Sequence, residues 1–380
     1  MQRPDKTDLF TTVVMAHPRR AEAAYRLARS IGPSVRIIFD PDPNGPPSSS
    51  RTAARAWRYC DATVSHHLVV QDDVMALPSL VESVNRAIAA HPTAALAFYA
   101  NSNSWHGAAA RAALLAGYRW VSWVPQEYFP TVATVLPCDI AHEFAELAER
   151  QNAEDGDADG KDDDEVMRFY LASKEHPALV RTSALVEHRA TPSIMGYDIA
   201  GIRRSVCLAE PDEFSDTEQR CLWELTAWPN FAYRRALLRM PSTHSRTGLR
   251  TRTRANHLMT VSLTWDDVCA LSDELWRELP KIPERNARAR RYLRELCLAS
   301  YTLGWALAAI QGPVVKPLSW PPAADASLRS YAEGGLAYQS AVDLWADQSD
   351  IVINFMWRVL EIGRTRACLF NPTSARGISQ

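Results

Sequence analysis

The sequence predicts an α/β fold, a mostly parallel sheet covered by helices, followed by an α-helical domain, and three observations carry that prediction. From Phe10 to about Gly196, short β-rich runs alternate with helical stretches. Successive strand runs in that half end in His17, Asp40 and Gln71-Asp72-Asp73, as expected of a Rossmann-like sheet with polar strand ends. From roughly Pro211 to Phe370 the β-rich runs cease, and apolar residues recur at helical spacing, as in Leu271, Leu275, Trp276 and Leu279, or Trp345, Ile353, Trp357 and Leu360. The 380 residues thus divide into an α/β domain over 10–205 and a helical domain over 211–370.

Each element has its own signal. Thr11 to Met15 (TTVVM) is the first strand and ends at His17-Pro18. An Ala- and Arg-rich helix from Ala21 to Ser30 stops at Gly32-Pro33. Val35 to Phe39 (VRIIF) is the second strand, and the Pro, Gly and Ser of Pro41 to Ser50 make that stretch a loop. Ser50 is the expected cap of a helix through Tyr59. His67 to Val70 is the third strand, with His66-His67 as strand-entry residues, and Pro78 opens a helix to Ala90. Ala94 to Tyr99 and Thr131 to Leu136 are further strands. Two helical segments between Asp139 and Ser173 flank an acidic loop, Glu154 to Asp163, and Leu179 to His188 is the last strand of this half.

Composition excludes several classes. With 42 Lys plus Arg against 44 Asp plus Glu, the net charge of −2 gives no global field to gather nucleic acid or an acidic membrane. The longest apolar stretch, Cys297 to Ile310, is shorter than the ~18 apolar residues of a membrane span. Met1 to Asp8 is polar and acidic, without the order of a signal peptide. Seven scattered cysteines with no C-x-x-C read as reduced residues of a cytoplasmic protein. Wide apolar helix faces in the second half must be buried against one another, against the first domain or against a second copy of the chain, which admits a homodimer.

Ligands of an open α/β sheet bind beyond the carboxyl ends of its strands, so His17, Asp40 and Asp72-Asp73 are the first candidates for chemistry. A strand-end carboxylate can hydrogen-bond a ribose, and a close carboxylate pair can hold a divalent metal that grips phosphates. The order of first strand, short helix, strand ending in Asp40, basic helix with Arg55-Ala56-Trp57, and apolar strand running into Gln71-Asp72-Asp73-Val74 resembles the nucleotide-sugar-dependent glycosyltransferases of the A-type fold. The resemblance covers residues 10–196. It implies a nucleotide-sugar donor and an acceptor of unspecified class. Asp40 would contact the nucleoside, Arg55 the diphosphate or nucleotide, and Asp73 a Mn2+ or Mg2+ ion, with His17, Arg19, Gln71 and Asp72 around the donor. Gln71 departs from the family's D-x-D pattern, standing where its first carboxylate would be.

The same family often carries an acidic pair opening a helix near the acceptor, and a His ending a later strand. Here Asp163-Asp164-Glu165 precedes Val166 to Ser173, and His188 ends the last strand. A His with two carboxylates, His188 with Asp72 and Asp73, makes a mixed N/O site that suits manganese better than magnesium. An inverting transfer needs a base for the acceptor proton, and Asp164 is the first choice, followed by Glu165 and Asp163.

Other patterns carry less. Asp155 to Gly160 (DGDADG) opens like a calcium loop, but Val166 stands where the twelfth-position Glu belongs. The basic run Arg246 to Arg254 reads as an exposed linker, without the interleaved aromatics of a nucleic-acid surface. Two alternatives share the sheet: a sugar nucleotidyltransferase, disfavoured by the glycine-free His17-Pro18-Arg19-Arg20 loop, and a non-catalytic scaffold, kept open by Gln71.

Overall fold

The computed structural model describes residues 9–61, 63–155, 162–189, 191–194, 196, 203–209, 219–220, 228–232, 235–240, 251–254, 264–279, 287–311, 323–334 and 348–369. The chain forms two compact units: Met1–Ala100, Arg119–Ile199 and Leu208–Gln219 make the first, and Asn101–Tyr118, Ala200–Cys207 and Arg220–Gln380 the second.

The first unit is α/β. Its elements are β1 (Phe10–Ala16), a 3-10 turn (Pro18–Arg20), α1 (Ala21–Ile31), β2 (Arg36–Phe39), α2 (Ser49–Arg58), β3 (His66–Gln71), β4 (Val74–Ala76), α3 (Leu80–Ala90) and β5 (Ala95–Ala97). After α4 (Trp105–Leu115), which belongs to the second unit, come β6 (Trp120–Ser122), β7 (Ala133–Pro137), α5 (Cys138–Asp155), α6 (Asp163–Ser173), β8 (Ala178–Arg181) and β9 (Val186–His188). The main sheet has the order β10-β6-β8-β5-β7-β3-β1-β2, with β10 (Gln219–Arg220) at one edge. Parallel pairing of β1 with β2 and β3, and of β5 with β8, against antiparallel pairing around β7 and β6, leaves β1, β2, β3, β5 and β8 running one way.

Burial explains the strand sequences. β3 is covered on both faces, so its run of apolar residues is continuous, whereas the edge strand β2 is only partly buried. Val14, Leu68, Val70, Leu96, Phe98, Trp120 and Val135 form the centre of the core. Helix α1 turns Ala24, Leu27 and Ala28 inward. Ser48, rather than the expected Ser50, caps α2 by accepting from Arg51 N, and Ser50 is buried within the helix. Trp57 of α2 meets Phe144 of α5 edge-on at 6.2 Å, and Phe144 meets Tyr170 of α6 at 5.7 Å, so an aromatic chain fixes α6 against α2. The single last strand expected over Leu179 to His188 is two short strands, β8 and β9, which lie in different sheets.

Two expectations are corrected. Cys60 and Cys138 form a disulfide across a Cα–Cα distance of 5.8 Å, so these two are not the reduced core cysteines expected from their scatter. Their separation of 78 residues hides a proximity that only the packing of α2 on α5 creates. The second unit is not purely helical. It contains an antiparallel three-stranded sheet, β11 (Trp228–Ala232), β12 (Arg235–Met240) and β13 (Thr251–Arg254), beside α4, α7 (Trp265–Glu278), α8 (Ala287–Gln311), α9 (Ala324–Gly334) and α10 (Ser349–Leu369). The basic run expected to be a linker supplies β13, where Thr and Arg alternate with the two-residue period of a strand. Residues 156–161 of the acidic loop, 246–250 of the basic run and Trp345 lie outside the described residues.

Within the second unit, α8 and α10 cross at their glycines: a Cβ at Gly304 would strike the Leu360 carbonyl, and one at Gly363 the Tyr301 carbonyl. The buried Arg111 of α4 donates to the Ser102 and Ser327 carbonyls and to Ser330 Oγ, and lies 4.2 Å from the Tyr331 ring centre. Among the described residues, no helix is long and apolar enough to cross a membrane.

Candidate functional site

The register of three parallel strands brings the expected strand ends together. β1 pairs with β2 as Ala16↔Phe39 and with β3 as Met15↔Gln71, so His17, Asp40 and Asp72 emerge side by side. Asp40 N donates to the Ala16 carbonyl at 2.9 Å, and His17 N donates to Asp72 Oδ2 at 2.8 Å. Directly after Asp72-Asp73 the chain enters β4, which pairs antiparallel with β9 as Val74↔His188. The Asp73 carbonyl accepts from Arg189 N at 2.7 Å. The small ladder therefore carries His188 to Asp73.

Four charged or ionisable side chains meet there. Arg20 Nη1 donates to Asp72 Oδ1 at 3.2 Å and to Asp73 Oδ2 at 2.7 Å, while Nη2 donates to the Pro192 carbonyl at 2.6 Å. His188 Nε2 lies 3.2 Å from Asp73 Oδ2. Its Nδ1 is 2.7 Å from the Arg189 carbonyl, which only accepts, so Nδ1 carries a hydrogen. The two adjacent carboxylates titrate apart. Burial pushes Asp72 up to about 6, helped by the Asp73 charge and opposed by the His17 N–H and Arg20. Burial acts on Asp73 too, but hydrogen bonds and charges from His188 and Arg20 outweigh it and hold Asp73 down at about 2.

Beside this cluster, Arg51 grips Asp40 with two bonds, Nε to Oδ1 at 2.9 Å and Nη2 to Oδ2 at 3.0 Å. Burial raises the Asp40 carboxyl, and the Arg51 bonds, the Asp42 N–H and the Arg51 charge more than offset it, leaving Asp40 below its ordinary value. The basic residue of α2 that reaches Asp40 is thus Arg51, and Arg55, one turn on, is exposed. Arg19 is also exposed, its N–H donating to His17 Nδ1. Arg20 and Arg51, both absent from the sequence-based assignment, are the arginines that engage the strand-end carboxylates.

The opening of α6 joins the third strand end. Gln71 Nε2 donates to Thr131 Oγ1 at 3.3 Å and lies 3.5 Å from Asp163 Oδ2, and Asp163 N donates to Ser49 Oγ at 2.9 Å. Burial raises Asp163 against the hydrogen bonds of Thr131 and Ser49. Asp164 is half-buried and held well above the usual carboxylate range by burial and by the charges of Asp163 and Asp162. Glu165 is exposed and paired with Arg168 at 2.7 Å. The structure thus brings Asp163 to Gln71 and turns Glu165 to solvent.

One observation at Asp73 bears on a divalent cation: among the described residues its Oδ1 is buried without a hydrogen-bond partner, while Oδ2 faces Arg20 Nη1 and His188 Nε2. No group of three or more His, Cys, Asp or Glu side chains is arranged to hold a metal among the described residues; Asp73 and His188, 3.2 Å apart, are the pair that could contribute to one. Asp72, the third expected ligand, has both oxygens engaged, Oδ2 by the His17 N–H and Oδ1 by Arg20, whereas Asp73 keeps one oxygen without a partner. Comparison with known proteins adds no assignment: no protein-family model matches the chain, and no curated protein matches it.

Proposed function

We propose that the chain is a glycosyltransferase that moves a sugar from a nucleotide-sugar donor to an acceptor hydroxyl. The observation that carries this reading is the convergence of Asp40, Asp72 and Asp73 on the carboxyl edge of adjacent parallel strands, with Arg20, Arg51 and His188 against them. The A-type transferase fold is part of the same proposal, supported by the mostly parallel sheet and by the β4–β9 ladder that follows the acidic pair.

In this reading Asp40, held rigid by Arg51, accepts from a hydroxyl or base edge of the nucleoside. Asp73 and His188, 3.2 Å apart, would hold a divalent cation beside the donor diphosphate. When bound, the cation supplies positive charge to the diphosphate that leaves. The acceptor oxygen attacks the anomeric carbon, the bond from that carbon to the diphosphate oxygen breaks with its electron pair, and Asp164 takes the acceptor proton. A carboxylate raised by burial and by like charge is a stronger base than an exposed one, which favours Asp164 over the solvated Glu165. Asp163, fixed by Ser49 and Thr131, positions the first turn of α6.

The test is release of nucleoside diphosphate from a panel of sugar nucleotides, with and without manganese and with candidate acceptors. Release that an acceptor accelerates supports transfer. Release of inorganic diphosphate from a nucleoside triphosphate and sugar phosphate would identify a nucleotidyltransferase, and binding without turnover a scaffold.

A further inference from the structure

We infer that Arg20 is an internal competitor for the acidic pair that makes cation binding depend on the donor: it bridges Asp72 and Asp73 when no donor is bound and passes to the donor's diphosphate when the cation arrives. This rests on the glycosyl-transfer reading above.

Three features of the site carry the inference. One Arg20 nitrogen, Nη1, bridges both carboxylates, at 3.2 Å from Asp72 and 2.7 Å from Asp73. A divalent cation placed between Asp73 and His188 would share or displace that contact, because Arg20 and His188 Nε2 both approach the same oxygen, Oδ2. Arg20 also leaves the pair incompletely satisfied, since Asp73 Oδ1 has no hydrogen-bond partner. Finally, Arg20 belongs to the short 3-10 turn after β1, and its side chain, 16% exposed, is anchored on its far side by the Pro192 carbonyl. A guanidinium so placed can rotate outward without disturbing a strand.

The exchange gives Arg20 and Asp73 new partners and leaves Asp72 with the His17 N–H. Without donor, one guanidinium faces two carboxylates. With donor and cation bound, Asp73 and His188 would face the cation, and the planar fork of Arg20 would face phosphate oxygens, which it matches with two parallel N–H donors. Cation or donor alone pays the whole cost of breaking the Arg20 contacts, whereas together they share it, so each improves the binding of the other.

The experiment titrates manganese(II) into full-length wild type, Arg20→Gln, Arg20→Lys and Asp73→Asn, each with and without uridine or guanosine diphosphate, following free manganese by electron paramagnetic resonance. Circular dichroism establishes that each variant is folded. Arg20→Gln is expected to bind manganese alone about tenfold or more tightly than wild type, since a charged hydrogen bond to the carboxylates has been removed. Nucleoside diphosphate is expected to tighten manganese binding to wild type by a similar factor and to Arg20→Gln by less. Arg20→Lys, with the charge but without the fork, should lie between, and Asp73→Asn should not bind. Equal manganese affinity of wild type and Arg20→Gln, with binding still lost in Asp73→Asn, would overturn the competitor role and leave the site reading intact. Nucleotide binding that resists chelator in wild type and vanishes in Arg20→Gln would also overturn it, making Arg20 a permanent replacement for the metal. If no variant binds manganese in either condition, the metal reading fails and the inference falls with it.

Discussion

Asp73 and His188 face each other across the two-stranded β4–β9 ladder, with Nε2 3.2 Å from Oδ2, although each is at the end of a different segment of chain. The pairing of Val74 with His188 sets this relationship through backbone bonds, so it does not depend on a bound ligand. Replacing either side chain should therefore spare the ladder. His188→Ala and Asp73→Asn are each expected to reduce manganese affinity by at least the roughly 10–100-fold that even outer-shell partners of a metal cost. Calorimetric titration checks this, and unchanged affinity in either variant would remove that residue from the site.

The Asp40–Arg51 pair separates structure from nucleotide binding. Removing the arginine leaves a buried carboxylate without its two strongest donors, so Arg51→Ala is expected to destabilise the protein by about 2 kcal/mol. Arg55→Ala, at an exposed position, is expected to change stability by no more than about 0.5 kcal/mol. Arg51→Ala should also weaken bare nucleoside diphosphate as much as the complete donor. Urea midpoints and titrations with both ligands distinguish these effects.

His67 sets an acid limit on stability. Its ring is buried, with Nε2 donating to the Ala56 carbonyl at 2.9 Å and Nδ1 2.6 Å from Thr11 Oγ1. Burial lowers it to about 4 from 6.5, with a smaller push from His142. Between those values the unfolded chain takes a proton that the native state refuses, so the His67 contribution to stability falls as pH drops from about 6.5 to 4, by about 3 kcal/mol, while the raised Asp72 carboxyl works in the opposite sense below about 6. The difference between the wild-type and His67→Gln stability profiles across that range isolates the His67 contribution. Parallel profiles of wild type and His67→Gln would contradict the assignment.

Asp164 and Glu165 are adjacent but differ in environment. Asp164→Asn is expected to slow transfer to the acceptor by about 10²–10⁴-fold while sparing donor affinity, as loss of a general base does. Glu165→Gln, in an exposed pair with Arg168, should leave both within a factor of two or three, on the order of a surface ion pair's contribution. Steady-state rates at saturating donor, with separate donor titrations, check both. Undiminished transfer by Asp164→Asn would exclude it as the base.

Much of the sheet and its polar edge was legible because strand ends are local signals: the apolar run of β3 stops at Gln71 and the carboxylates follow at once. What the sequence hides is side-chain reach. Arg19, Arg20, Arg51 and Arg55 are equivalent as letters, and only the 3-10 turn and the phase of α2 decide that Arg20 and Arg51 meet carboxylates. The Cys60–Cys138 pairing and the sheet of the second unit were missed for a related reason, since both depend on contacts distant in sequence. The alternation in Thr251–Arg254 was the one local clue to that sheet.

The most direct test of the central claim is a thermal-shift screen of the full-length protein with UDP-, GDP- and dTDP-sugars in the presence of manganese. A ligand that binds only the native state at about 100 times its dissociation constant stabilises by about 2.7 kcal/mol, so the account expects at least one of these donors to raise Tm by a few degrees. The same donor should give a smaller rise in Asp73→Asn. Absence of any shift with every donor, or an equal shift in wild type and Asp73→Asn, would contradict the claim that this strand-end cluster binds a sugar nucleotide.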